Sequence, residues 1–187
     1  MDKGRLEAFT DGVIAIIITI MVLEMKVPHG ADFAALQSSL PVFLAYVLSY
    51  INVGIFWNNH HHMLHATERI DGRVLWANLF LLFWLSLIPF VIRWIDETGF
   101  TALPTAAYGV VLAMAAVGYN LLQRAIIARN GQNSRLATAI GRDLKGKLSL
   151  ATYVASIPLS FISPWIGIAL YVAIAIIWLV PDRRIES

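Results

Sequence analysis

Six stretches of this chain are apolar for long enough to cross a lipid bilayer, and no other feature constrains the fold as tightly. They lie at about residues 6–26, 38–60, 73–95, 104–129, 145–163 and 164–182, and a hydrocarbon core of roughly 30 Å takes about 20 helical residues. Inside lipid every backbone N–H and C=O must be satisfied internally, so only helices and closed barrels can span. No segment shows the alternating pattern of a barrel strand. The expected fold class is therefore all-α, a polytopic membrane protein of six transmembrane helices. Composition agrees: 58% of the 187 residues are hydrophobic and 14% charged, against about 45–50% and about 25% in soluble domains. One soluble core of this length could not hide that much apolar surface. The chain has no cysteine, which excludes disulfide scaffolds, thiolate metal sites and cysteine nucleophiles.

The third segment, "RVLWANLFLLFWLSLIPFVIRW", is the cleanest, bracketed by Arg73 and Arg93. Pro89 within it is expected to kink the helix or end its regular part. "FISPWIG" joins the fifth and sixth segments so tightly that they form a hairpin, with Pro164 in the first turn of the last helix. The first segment follows "MDKGR" but has no small-residue cleavage site, and it reads as a retained helix. No linker or internal repeat is visible, so residues 1–187 read as a single six-helix domain. Many of the six Trp stand near segment ends, where interfacial belts form.

Charge orients the bundle. Lys3 and Arg5, Arg69 and Arg73, Arg124, Arg129, Arg135, Arg142, Lys145 and Lys147, and Arg183 and Arg184 all fall on one side. Only Lys26 and Arg93 fall opposite. The positive-inside rule then puts both termini in the cytoplasm, which requires an even number of spans.

The first segment contains "FTDGVIAIIITIMVLE". Arg5, Phe9, Gly12, Ile16, Thr19, Leu23 and Lys26 follow steps of four and three, which put them on one stripe of a helix. A packing seam explains such a stripe, with Gly12 allowing close approach and Thr19 bonding its own backbone. Arg5 and Asp11 are harder to place in a seam, because ionisable groups within spans are expensive and usually functional.

A second signal is "GIFWNNHHHMLH", residues 54–65, which holds four of the five histidines at the end of the second segment. His61 and His65 share a helix face, but no Glu lies between them as in a hydrolytic zinc helix, and no carboxylate or cysteine cluster joins them. Metal catalysis is not the expectation. Either His60 or His61 can instead meet the Arg5 and Asp11 pair at the same membrane surface. "TAAYGV", residues 105–110, looks superficially like a carbonyl filter, but Ala107 stands where glycine is needed, so an ordinary helix starting near Pro104 is expected.

Arg5-x-x-x-Phe9-Thr10-Asp11 with "GVIAIIITIMVLE", and Phe56-Trp57-x-x-His60-His61, together resemble the transmembrane protein 175 family of endosomal and lysosomal potassium channels and their prokaryotic relatives. Thr10 stands where the family motif has serine, which keeps the hydroxyl. The resemblance implies a homotetrameric, leak-type potassium channel in a bacterial-type inner membrane, with one six-helix repeat per chain. It implies a central pore lined by the first helices, with Ile16 and Leu23 as constriction layers and Thr19 between them. It further implies a polar network of Arg5, Asp11 and His60 or His61 that braces this helix. Monovalent cations, lipid and the chain itself are the implied partners, with no nucleic acid, no cofactor beyond permeant potassium, and no enzymatic activity. The alternatives are a small secondary transporter, which should show paired broken helices, and a histidine-cluster metal-binding membrane protein.

Overall fold

The computed structural model describes residues 2–140 and 143–179, which leaves Arg142, Arg183 and Arg184 of the charge pattern outside the described residues. Among these residues eight helices follow one another: α1 Lys3–Leu23, α2 Phe33–His65, α3 Gly72–Ser86, α4 Ile88–Thr98, α5 Ala102–Asn130, α6 Arg135–Ile140, α7 Leu144–Ile162 and α8 Pro164–Leu179. Asp2, Asp32, Asp71 and Asp143 cap α1, α2, α3 and α7, each carboxylate accepting from a first-turn backbone N–H.

Each of the six expected segments corresponds to helix over most of its described length; α1 ends at Leu23 and not at 26, residues 180–182 of the last segment lie outside the described residues, and two segments differ further. The third is divided at Leu87, where α3 ends and α4 begins with Pro89 in its first turn. Proline offers no N–H to continue the ladder, so the break falls where the sequence placed it. The second segment is longer than expected at both ends. It starts at Phe33, behind the Asp32 cap, and carries Pro41 inside the helix. At its far end Lys3 Nζ donates to the carbonyls of His65 (3.3 Å) and Thr67 (3.1 Å), adding to the capping bonds from Ala66 and Thr67 onto His62, Met63 and Leu64. That contact ties the end of α2, which includes all four histidines, to the start of α1. α6, a single short helix with Leu136 buried, was not expected.

Among the described residues four units are long and apolar enough to cross a membrane: Lys3–Leu23, Phe33–His65, Gly72–Thr98 and Ala102–Asn130. α8 is apolar over its sixteen described residues, and α7 carries Lys145 and Lys147 in its first turn. α5 lies at the centre, packed against α3, α4, α7 and α8, while α1 lies at one edge against α2, α3 and α4. Residues 105–110 sit within α5 with Thr105 and Tyr108 buried, so that stretch is helix and not filter.

Gly118 of α5 lets α3 approach. A Cβ there would stand 2.9 Å from Leu81 Cα and 3.1 Å from Phe80 Cδ1. Gly118→Val is expected to lower stability by about 1–3 kcal/mol through overpacking, read as a lower melting temperature of the detergent-purified protein. An unchanged melt would mean that α3 and α5 do not meet there.

Candidate functional site

α1 has two faces of different character. Leu6, Thr10, Ile14, Ile17 and Met21 recur at steps of four, four, three and four, and all are buried against α2, α3 and α4. The other face is covered by nothing among the described residues. Phe9 is 50% exposed, Ile16 60% and Leu23 76%. Arg5, Gly12 and Thr19 are exposed beside them, and no heavy atom lies within 4 Å of a Cβ built on Gly12. From Arg5 to Leu23 the stripe read from spacing is thus the open face of α1, while Lys26 lies beyond the end of the helix. On that face the Thr19 hydroxyl donates to Ala15 O at 2.8 Å. Its proton is engaged with the backbone, so the oxygen offers only lone pairs outward.

The buried face is held by a polar relay. Asn78 of α3 donates through Nδ2 to Thr10 Oγ1 at 2.9 Å, and its Oδ1 lies 2.8 Å from His60 Nε2. With an acceptor facing it, Nε2 carries the imidazole proton. All three residues are buried, and they join α1, α2 and α3. Two further contacts clasp α1 to α2 at the same end. Trp57 Nε1 donates to Asp11 Oδ1 at 2.8 Å, and His61 Nδ1 lies 3.2 Å from Glu7 Oε1. At the opposite end Arg93 of α4 holds Glu24 at 2.7 Å and Glu97 at 3.1 Å, fixing the chain just past Leu23.

The polar residues singled out in the sequence therefore take partners as follows. Asp11 meets Trp57, His61 meets Glu7, and His60 meets Asn78. Arg5 and Asp11 form no ion pair with each other among the described residues. Arg5 stands exposed on the open face. Thr10 and Trp57 were named as motif residues but given no partner, and Asn78 and Glu7 were not singled out. Asn78 carried a signal, since a lone amide inside an oily run is costly without a partner. Among the described residues no three His, Asp or Glu side chains are grouped to hold a metal ion.

This arrangement can be set beside known proteins. The family described as "Endosomal/lysosomal potassium channel TMEM175" matches residues 5–89, which take in all of α1 from Arg5, both clasps and Asn78. A potassium channel of Chryseobacterium sp. is 53% identical over 187 residues, covering 100% of this chain and 97% of that one. A potassium channel of Chamaesiphon minutus is 31% identical over 189 residues, covering 94% of this chain and 92% of that one. The crystal structure of a lysosomal potassium-selective channel TMEM175 homolog from Chamaesiphon minutus superimposes with a TM-score of 0.81 at 28% identity, over 96% of this chain and 97% of that chain. With likeness of this extent along its full length, the chain belongs to the TMEM175 family, a family of ion channels and not of enzymes.

Proposed function

We propose that this chain conducts potassium through a central pore formed by four copies, with the open face of α1 lining it. The observation that carries the reading is that face itself. A span whose outward stripe sets Arg5 and Thr19 among Ile16 and Leu23 is poorly matched to lipid, and symmetry mates around an axis supply a lumen for it. Four Ile16 and four Leu23 side chains would form two apolar constrictions, which exclude water and so admit only an ion that can shed its hydration. Thr19 would set a ring of lone pairs between them, acceptors suited to a cation in transit.

In this reading Asp11, His60 and His61 hold α1 in register through Trp57, Asn78 and Glu7, and Arg5 faces the neighbouring copy. α7 and α8 complete six spans in one domain, residues 1–187. Both termini face the cytoplasm of a bacterial-type inner membrane, as the charge distribution favours. The test is purified protein in liposomes under a potassium gradient. A flux that does not saturate with potassium is expected, and carrier-like saturation would overturn the reading.

Thr19→Val probes the ring between the constrictions. It removes the oxygen at similar volume, so potassium over sodium preference should fall by about threefold to tenfold, or about 0.6–1.4 kcal/mol, with assembly unchanged. Reversal potentials under bi-ionic conditions read the preference directly, and an unaltered value would take Thr19 out of the ion path.

A further inference from the structure

No residue of α2 from Phe33 to Leu48 is buried; the first buried one is Ser49. This half of the helix stands off from the rest of the chain, and a groove of about 520 Å³ lies between the two. Leu40, Ala45 and Ile51 of α2 line one wall, and Ile95 of α4 with Ile168 and Val172 of α8 line the other. Three polar side chains also line it, and each is already paired within the chain. Thr105 Oγ1 donates to Thr101 O at 2.8 Å, the Tyr108 hydroxyl bonds Ser49 Oγ at 2.8 Å, and the Tyr171 hydroxyl donates to Thr105 O at 2.9 Å. The groove therefore offers hydrocarbon contacts and little to a polar ligand. Phe100 and Trp165, stacked with centroids 5.6 Å apart, also line it, an aromatic pair of the kind that marks a membrane interface.

From Leu40 to Ile51 the groove follows α2 for about 16 Å, at a helical rise of 1.5 Å per residue. That is about half of a hydrocarbon core of roughly 30 Å, the depth of one leaflet. Its volume over that length gives a section of about 30 Å². A helix with its side chains is about 10–12 Å across, too wide to enter, whereas a single acyl chain is not. Left empty, the slot would cost its lining the dispersion contacts of one side. Leu40 also lines a second cleft, together with Lys26, His29, Ser39 and Asp96. Lys26 Nζ lies 3.8 Å from Asp96 Oδ2 and 4.0 Å from Glu97 Oε1, beyond hydrogen-bond reach, and its side chain is 57% exposed. Its ammonium can take a phosphate oxygen, while the two acids beside it disfavour a head of net negative charge and favour one that brings its own ammonium.

We propose that each chain holds one phospholipid from the leaflet on the Lys26 side, with an acyl chain in the groove and a zwitterionic, amine-bearing head against Lys26. The lipid fills the space that α2 leaves beside α4 and α8. The site stands apart from the pore reading, and its test involves no flux. The full chain is purified, stripped of lipid and melted with phosphatidylethanolamine, phosphatidylglycerol or diacylglycerol added back. At about 100 times its Kd, phosphatidylethanolamine should raise the melting temperature by roughly 5–10 °C, and more than the anionic or the headless lipid does. Ala45→Phe fills the slot and should abolish the rise with all three lipids, with Val172→Phe as the second filler if the first does not fold. Lys26→Gln should abolish only the preference among them. Phosphatidylethanolamine carrying a diazirine on its acyl chain should label α2 between residues 40 and 51 and α8 between 168 and 172, and the filled variant should lose that label. Equal rises in wild type and the filled variant, no preference among heads in wild type, or label spread evenly around the bundle would overturn the proposal. So would disulfide trapping of Leu44→Cys between copies, which would put a second copy over the groove.

Discussion

Ile16→Asn is expected to raise single-channel conductance severalfold and to cut potassium preference by about tenfold or more, which is about 1.4 kcal/mol of discrimination. Ile16 is 60% exposed in the single chain, on the face that no other helix among the described residues covers. In a ring of four, isoleucine side chains form a dry constriction, and the barrier they raise is that of stripping water from the ion. Asparagine at that position brings an amide that hydrogen-bonds water, so the constriction wets and hydrated sodium passes with less penalty. Current amplitude and bi-ionic reversal potential in planar bilayers measure both effects. If folded protein shows neither, Ile16 is not at the constriction.

Asn78→Leu should be the most destabilising single change at the buried face of α1. It removes the amide that serves both His60 and Thr10 and leaves two buried polar groups without partners. Each stranded group costs about 1–3 kcal/mol. Thr10→Val alone should cost about 1–3 kcal/mol, because it strands only the Asn78 NH2. The double variant should cost less than the sum, since its second change no longer strands anything. Thermal unfolding of purified single and double variants provides the cycle. Strict additivity would mean that Thr10 and Asn78 do not act as a pair.

The relay also marks where sequence reading stops. The spans were legible because an apolar run in lipid has one solution, and the break near Pro89 because proline lacks a donor. The open face of α1 was legible too, since steps of three and four fix which residues share a stripe. Partners were not. That Asp11 would meet Trp57, and His60 would meet Asn78 and not the Arg5 and Asp11 pair, depends on how far α2 and α3 slide along α1. Helical periodicity specifies a face but says nothing about axial register between helices. The extension of α2 to His65 was hidden for a similar reason, because Lys3 meets its end from sixty-two residues away. α6 spans six residues, too short for any periodicity to emerge.

The central claim is that the open face of α1 lines the ion path, and the absence of native cysteine makes one measurement direct. Ile16→Cys, Thr19→Cys and Leu23→Cys each place a single thiol on that face, and Ile176→Cys on α8 places one elsewhere among exposed apolar residues. A positively charged, membrane-impermeant thiol reagent is applied during potassium current recording, from either side. The account predicts that current through the Leu23→Cys and Thr19→Cys proteins is lost on modification, that dense potassium slows the reaction, and that Ile176→Cys is indifferent. Unchanged currents in all three α1 variants, with mass spectrometry showing the thiols modified, would contradict it.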